Sequence, residues 1–405
     1  MQPLLTELLG LPGIDVENYY IFDDKIIFEV ERHSEKAVCP RCGNESAHLH
    51  QNHPYFVRDL PVMERLVLLK VNRRQFKCEC CGKPFSEALD FVDKRRKHTN
   101  RFSDRIVQQV VHSDVHTVGQ QNDLSDEEVW SIVKHVSKKK VVIDLTQLKR
   151  LGMDEIALRK GQKDFIVVLV DLERRIPIGF VGSRKQKDIK KVLEEWGSEV
   201  LSQIVEVSID LTGNYRGLIQ KLLPDANIIA DRFHVMQLVS NELNSAILNE
   251  KKASESVTDE PKKKQIKEAL KQSKYAILKP EERLTETQKQ KLEEVKKASP
   301  LLAEMHQQKE EFRNIFETAK DWSEATFRLL DWLENAEKNF ERSVGTIKRW
   351  LSEITGYFDH RTTSGAVEGI NNRLKLIKRL GYGFRNFENF ALRCLICWHF
   401  DVSSA

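Results

Sequence analysis

Asp154, Asp210 and Glu368 are the residues whose type and setting could do chemistry. The first lies in an apolar stretch with strand character, the second ends a later such stretch, and the third opens a basic helical segment near the C-terminus. Carboxylates grouped in this way can hold two divalent cations about 4 Å apart, and such a pair stabilises the attacking and leaving oxygens of an in-line phosphoryl displacement. Magnesium is a hard ion that takes oxygen ligands, and manganese can stand in for it. Each acid also has an ordinary role open to it: a solvated strand acid at 154, a turn former or helix cap at 210 and at Asp231. Asp231 ends the stretch NIIAD, and His234 follows closely enough to orient water or a leaving group, which makes both second-tier catalytic candidates.

The elements that must position these residues are legible from the period of the apolar side chains. Strands are predicted over Gly152–Leu158, Asp164–Glu173 and Ile176–Ser183, the last two joined by a tight turn at Arg174 and Arg175. A helix over Asp188–Gln203, the strand IVEVSID ending at Asp210, a helix over Tyr215–Leu223, the strand NIIAD and a long helix from His234 follow. Alternate strand residues face opposite sides, so of Asp154 and Glu155 only one can look into a site. Three strands followed by alternating helix and strand is the order of a ribonuclease-H-like α/β domain. In that order Asp154 stands on the central first strand, and Asp210 at the end of the neighbouring fourth.

Beyond residue 240 the chain turns rich in lysine and glutamate with helical periodicity, and residues 241–357 read as a helical insertion forming a bundle or arm. It could contact DNA or a second protomer, or serve only as a spacer. In the last stretch Ser364 and Gly365 precede Glu368, and the helix continues through Asn371, Asn372, Arg373, Lys375, Lys378 and Arg379. Positions 368, 372, 375 and 379 share a face that offers one carboxylate and three polar or basic groups to phosphates and bases. An exposed amphipathic helix is the plain alternative. Cys394 and Cys397, in the apolar run ALRCLICWHF, read as core residues.

The N-terminal part carries a different chemistry. Cys39-Pro-Arg-Cys42-Gly43 and Cys78-Glu-Cys80-Cys81-Gly82 form a pair of knuckles able to supply four thiolates, Cys39, Cys42, Cys78 and Cys81, to a closed tetrahedral zinc site. Cys80 is the spare, and His48, His50 and His53 stand near enough in sequence to replace a thiolate. Arg65–Cys78 reads as the strand that returns the second knuckle to the first. Disulfides are the other use of such cysteines, which a cytoplasmic setting disfavours.

A basic cluster, Lys94, Arg95, Arg96, Lys97 and Arg101, precedes a helix over Ser103–Val115. After the connection HTVGQQNDLS comes a second helix opened by a capping box of Ser125 and Glu128. This resembles a helix-turn-helix, although Asp126, Glu127 and Glu128 at the start of the second helix would repel phosphate. A purely structural helical pair fits the same residues. Arg95, Arg96, Lys97, Asn372, Arg373, Lys375, Lys378 and Arg379 are the candidate DNA contacts.

At 405 residues the chain has room for several domains. Its net charge of +4 is modest for a nucleic-acid binder, so the clustering of the basic residues matters more than the total. No apolar run approaches the roughly 20 residues that cross a bilayer, and the N-terminus lacks the basic flank of a secretory signal; a cytoplasmic protein without a membrane partner is expected. The domains expected are a zinc ribbon at 1–90, a helix-turn-helix region at 91–145, a catalytic domain at 146–240, the insertion at 241–357 and the end of the catalytic domain at 358–405.

Taken together, CPRCG and its partner knuckle, GMDEIALRKG, VVLVDLE, SIDLTGNY, NIIADRFHV and SGAVEGINNRLKLIKRLGYGFRNF resemble the transposases of the ISL-three insertion-sequence family over nearly the whole length. The resemblance implies a multidomain α+β chain of zinc ribbon, helix-turn-helix and DDE catalytic domain, with Asp154, Asp210 and Glu368 as the triad. It further implies binding of terminal inverted repeats and target DNA, cleavage and strand transfer with two magnesium ions, and a homodimer or higher oligomer on DNA. Thr212-Gly213-Asn214 after Asp210 and the extra Cys80 depart from the pattern, which leaves substrate contacts open rather than the triad. A structure-selective nuclease of the same fold, or a catalytically silent DNA-binding regulator, are the alternatives.

Overall fold

The computed structural model describes residues 2–159, 164–361 and 365–400, so Ser364 and the Lys160-Gly161 end of one sequence motif lie outside the described residues. The chain forms two compact units, one built mainly from Met1–Val142 and the other from Ile143–Arg379 with Gly383–Trp398.

The first unit opens with α1 (Gln2–Leu9), β1 (Ile14–Ile21), β2 (Lys25–Arg32) and the short β3 (Ala37–Val38) and β4 (Glu45–Ser46). A long hairpin of β5 (Leu49–Val62) and β6 (Arg65–Lys77) follows, then β7 (Pro84–Ser86). Met63 and Glu64 connect the hairpin with positive φ at both positions, 48° and 65°, the handedness that a two-residue turn between twisted strands requires. The sheet runs β1-β2-β6-β5, with β7 also on β6. Val67, Leu69 and Val71 alternate along β6 onto one face and close a core with Ile14, Val16, Val30 and Val57.

Three helices complete this unit: α2 (Asn100–His112), α3 (Val115–Gln121) and α4 (Asp126–Lys140). The sequence predicts only two, because α3 is a seven-residue helix with no apolar period of its own. What forms it is its cap: Asp114 accepts from the Thr117 amide at 2.9 Å and from its hydroxyl at 2.6 Å. The capping box that opens α4 is present in both directions.

The second unit is a five-stranded sheet with helices. Its elements are β8 (Arg150–Arg159), β9 (Asp164–Asp171), β10 (Ile176–Val181), α5 (Gln186–Glu194), α6 (Ser198–Ser202), β11 (Glu206–Ile209), α7 (Gly213–Leu222), β12 (Asn227–Ala230) and α8 (Arg232–Ala253). The single helix expected over 188–203 is broken into α5 and α6 at Gly197, whose φ of 85° no helix accommodates. The strands lie in the order β10-β9-β8-β11-β12; β8, β9 and β10 pair antiparallel, whereas β11 is parallel to both β8 and β12.

Among the described residues eight further α-helices come between α8 and the last pair: α9 (Glu260–Leu270), α10 (Lys274–Leu278), α11 (Glu286–Ala298), α12 (Pro300–Thr318), α13 (Trp322–Ala336), α14 (Glu341–Arg349), α15 (Leu351–Thr355) and α16 (Tyr357–His360). Their apolar faces, including Phe312, Phe316, Trp332 and Phe340, share one continuous core with Leu151, Met153, Val207 and Ile209 of the sheet. This helical stretch is therefore packed with the sheet and is no solvated arm. On the opposite face, α17 (Gly365–Leu380) and α18 (Phe387–His399) bury Val367, Ile370, Leu374, Ile377, Phe390 and Cys394 against Ile156, Leu158, Val168 and Phe180.

Candidate active site and metal centre

Sheet register brings three acids side by side. In the parallel pair β8–β11, Ser208 stands opposite Gly152, so two residues on, Asp210 comes abreast of Asp154. In the parallel pair β11–β12, Ile209 stands opposite Ala230, and one residue on, Asp231 comes abreast of Asp210; its amide donates to the Ile209 carbonyl at 2.8 Å. Neighbouring strands lie about 4.8 Å apart, which spaces the three backbones at roughly that interval.

They also share a face. Val207 and Ile209 point into the core with Leu151 and Met153, so Asp210 and Asp154, each one residue out of phase, project from the other face, where Ile156 and Leu158 meet α17 and α18. Glu155 accordingly turns away. Its carboxylate accepts the buried Tyr215 hydroxyl and stands 3.4 Å from Arg184, a structural tie between β8 and α7.

Asp154 is 8% exposed; its Oδ1 accepts from the Glu155 amide at 2.7 Å and its Oδ2 from Asn371 Nδ2 at 2.5 Å. Burial pushes its carboxyl above the usual range, opposed by the Glu155 amide, His234 and Asn371. Asp210 closes a turn on itself, accepting from the Thr212 amide at 3.1 Å and hydroxyl at 2.6 Å. Asp231 caps α8 through the Phe233 amide at 2.8 Å and holds His234 Nδ1 at 3.2 Å, and this hydrogen bond raises the imidazole above its ordinary value. Glu368 stands exposed on the first turn of α17, one turn before Asn371.

Among the described residues no Lys or Arg pairs with Asp154, Asp210 or Asp231. Nor do three acidic or imidazole ligand atoms lie within 4.8 Å of one another. Apart from His234 on Asp231, this set of hard oxygen donors has no cationic partner among the described residues, and such a set suits a divalent cation such as magnesium.

Several basic candidates are already used by the fold. Arg373 lies 4.3 Å over the Trp398 ring and donates to the Cys397 carbonyl at 2.6 Å, and Lys378 donates to the Ala157 carbonyl at 2.5 Å, with burial lowering its pKa. Arg101 pairs with buried Asp59, and Arg96 donates to the Ser131 hydroxyl at 2.8 Å. Asn372, Lys375 and Arg379 are exposed on α17, as are Arg95 and Lys97 in the first unit. Sequence reasoning named Asn371 without giving it a role; its partner Asp154 is 217 positions away, and no local spacing signals such a bond.

The four cysteines do converge. Cys39, Cys42, Cys78 and Cys81 place their sulfurs within 4.8 Å of one another, with Cys39–Cys81 at 3.8 Å and Cys42–Cys78 at 3.5 Å. Tetrahedral zinc with bonds of about 2.3 Å sets sulfurs about 3.8 Å apart, so the cage has zinc's size. The two knuckles repeat one another: the Gly43 amide donates to the Cys39 carbonyl and the Gly82 amide to that of Cys78, both at 2.9 Å, with φ of 75° and 68° at the glycines. The Arg41 amide holds the Cys39 thiol down to about 6. At Cys42 the Asn44 amide acts in the same sense but is outweighed by Cys78, burial and Cys39, and the thiol is pushed up to about 12. Four thiolates crowded this closely need a cation before all can ionise. Cys80 is exposed and lies outside the group.

Comparison with known proteins supports the zinc-binding segment and places the chain in a family. Residues 151–394 match a family model described as a transposase, which covers more than half of the chain. The chain belongs to transposase family ISL3. Residues 35–81 match the zinc finger of the transposases of IS204, IS1001, IS1096 and IS1165, and residues 87–137 match the family's helix-turn-helix domain. The chain is 29% identical over 403 residues to the transposase for insertion sequence element IS1001 of Bordetella parapertussis, covering 96% of each. It is 24% identical over 340 residues to that for IS1557 of Mycobacterium tuberculosis, covering 79% of this chain and 76% of the relative. As an ISL3 transposase the chain is a DNA-binding protein with a zinc-ribbon segment whose four-cysteine cluster fits structural zinc. Among the described residues no helix is long and apolar enough to cross a membrane.

Proposed function

We propose that this ISL3 transposase cuts and joins DNA by a two-metal DDE reaction, with Asp154, Asp210 and Glu368 as the magnesium ligands and a ribonuclease-H-like catalytic domain that begins near residue 146 and is interrupted by the helices of 241–357. The observation that carries the reading is the register match of Asp154 and Asp210 on the sheet face to which α17, the helix of Glu368, is packed. Two cations held by Asp154, Asp210 and Glu368 would supply activation of the attacking hydroxyl and charge neutralisation at the phosphate and leaving oxygen.

The chain supplies the rest. Asp154 and Asp210 present oxygens from a rigid sheet, where neighbouring residues fix each side chain. Asp231 keeps His234 oriented beside them, and the imidazole, held more basic than usual, is placed to give or take a proton at a water or leaving oxygen. Asn372, Lys375 and Arg379 offer contacts to phosphates and bases along the outer face of α17, while the zinc ribbon and helix-turn-helix bind the terminal inverted repeats, with phosphate contacts fixing position. Pairing two ends requires at least a homodimer on DNA.

The test is cleavage and joining of a duplex carrying the element's terminal sequence in magnesium. Asp210→Asn is expected to abolish both while leaving duplex binding intact. Cleavage at the unaltered rate in that variant would remove Asp210 from the reaction.

A further inference from the structure

Val367, Ile370, Leu374 and Ile377 pack α17 on the apolar face of the sheet. Two polar ties add a defined register to that packing. Asn371 Nδ2 donates to Asp154 Oδ2 and Lys378 Nζ to the Ala157 carbonyl, each at 2.5 Å. From Asn371 to Lys378 the helix advances about 10.5 Å, and from Asp154 to Ala157 the strand advances about 10 Å. The two ties therefore match in length, and α17 runs alongside β8 in the same direction.

Asn371 holds the end of this arrangement that matters for chemistry. A carboxylate only accepts, so the amide must present its nitrogen to Asp154. Its own Oδ1 then faces inward, buried and without a hydrogen-bond partner among the described residues. Asp154 Oδ1 is already fixed by the Glu155 amide, so the Asn371 bond to Oδ2 is what completes the orientation of that carboxylate. The same bond sets the height of Glu368, one helical turn earlier, along the strand.

We propose that Asn371 is a positioning residue of the catalytic site: its amide locks the rotamer of Asp154 and the register of the helix that carries Glu368, and its buried Oδ1 accepts from a water held there. The inference rests on the assignment of Asp154, Asp210 and Glu368 as the metal ligands. Residues that orient metal ligands are worth about 10–100-fold in metal affinity when removed.

The experiment uses the full chain and Mn2+ alone, with binding measured by electron paramagnetic resonance and by calorimetry in the absence of DNA, alongside hydrogen exchange of α17. Asn371→Leu keeps the bulk of the side chain and removes the donor; Asn371→Ala, smaller and helix-favouring, serves should the first fail to fold. Lys378→Met cuts the other tie and reports what a merely structural anchor contributes. The expected result is Mn2+ binding weakened about 10–100-fold in the Asn371 variants and less than about threefold in Lys378→Met, with Asn371→Gln recovering part of the loss. Mn2+ binding equal to the unaltered chain in Asn371→Leu, with Asp210→Asn still losing it, would overturn the role of Asn371 and leave the metal site standing. Equal losses in Asn371→Leu and Lys378→Met would reduce Asn371 to an anchor and overturn it as well. Mn2+ binding unaffected by Asp210→Asn would take down the site assignment, and the inference with it.

Discussion

Gly119, near the end of α3, lies against the connection to α4 and offers a sharp test of how the helical part of the first unit is built. Its carbonyl accepts from the Asn122 amide at 3.1 Å and the Leu124 amide at 2.9 Å, so the chain doubles back immediately beyond it into α4. A Cβ at this position would lie 2.6 Å from the Leu124 carbonyl oxygen. That oxygen is backbone and cannot swing aside, so Gly119→Ala must push the α3–α4 connection outward by close to an ångström. Overpacking of this kind costs about 1–3 kcal/mol, against which alanine's better helix propensity returns about 1 kcal/mol or less. The net is a destabilisation of up to about 2 kcal/mol centred on the α3–α4 connection, or roughly tenfold faster hydrogen exchange of α4 amides for each 1.4 kcal/mol. Gly217→Ala in α7 is the matched control: nothing lies within 4 Å of its added Cβ, and a gain of about 0.5–1 kcal/mol is expected. Hydrogen exchange with peptide resolution separates the two units without assuming one unfolding transition. Unchanged protection of α4 in Gly119→Ala would refute the packing argument, and DNA binding weakened in step with the lost protection would tie this turn to recognition.

Zinc content follows from the sulfur cage. One equivalent per chain is expected by elemental analysis, lost on Cys78→Ser and kept on Cys80→Ser; loss in both would redefine the ligand set. Arg373→Ala should lower stability without altering the salt dependence of DNA binding, because its guanidinium lies over Trp398, whereas Lys375→Ala should reduce the slope of log K against log salt by about 1 if it touches a phosphate. His306, 2% exposed in α12, is held neutral by burial, with a pKa near 3. Since its value in the unfolded chain is about 6.5, the unfolded chain takes up a proton that the fold refuses, so stability falls as pH drops below 6.5, by about 2 kcal/mol at pH 5. His306→Phe should flatten that part of a pH–stability profile, and an unchanged slope would place the titration elsewhere.

What could be read ahead of the structure divides along a physical line. Close-range signals carried through: the two knuckles, the capping box at Ser125, and apolar runs long enough to mark β8 through β12 in order. Weak local signals did not; α3 depends on one Asp114 cap, and the break at Gly197 on one positive φ within a stretch whose apolar spacing suits a helix. Partners far apart in sequence were beyond reach. Arg101 finds Asp59, Lys378 finds the Ala157 carbonyl and Asn371 finds Asp154, so basic residues that look available for DNA are in part spent on the fold. The register that aligns Asp154, Asp210 and Asp231 is likewise a property of strand pairing, which the strand pattern implies but does not specify.

The most direct measurement compares the unaltered chain with Glu368→Gln on a labelled duplex of the element's own terminal sequence, with a target plasmid and magnesium. The amide preserves shape and removes the charge. The account predicts metal-dependent cleavage and joining that vanish in the variant while duplex binding persists. Cleavage and joining retained in Glu368→Gln would contradict a triad completed from α17.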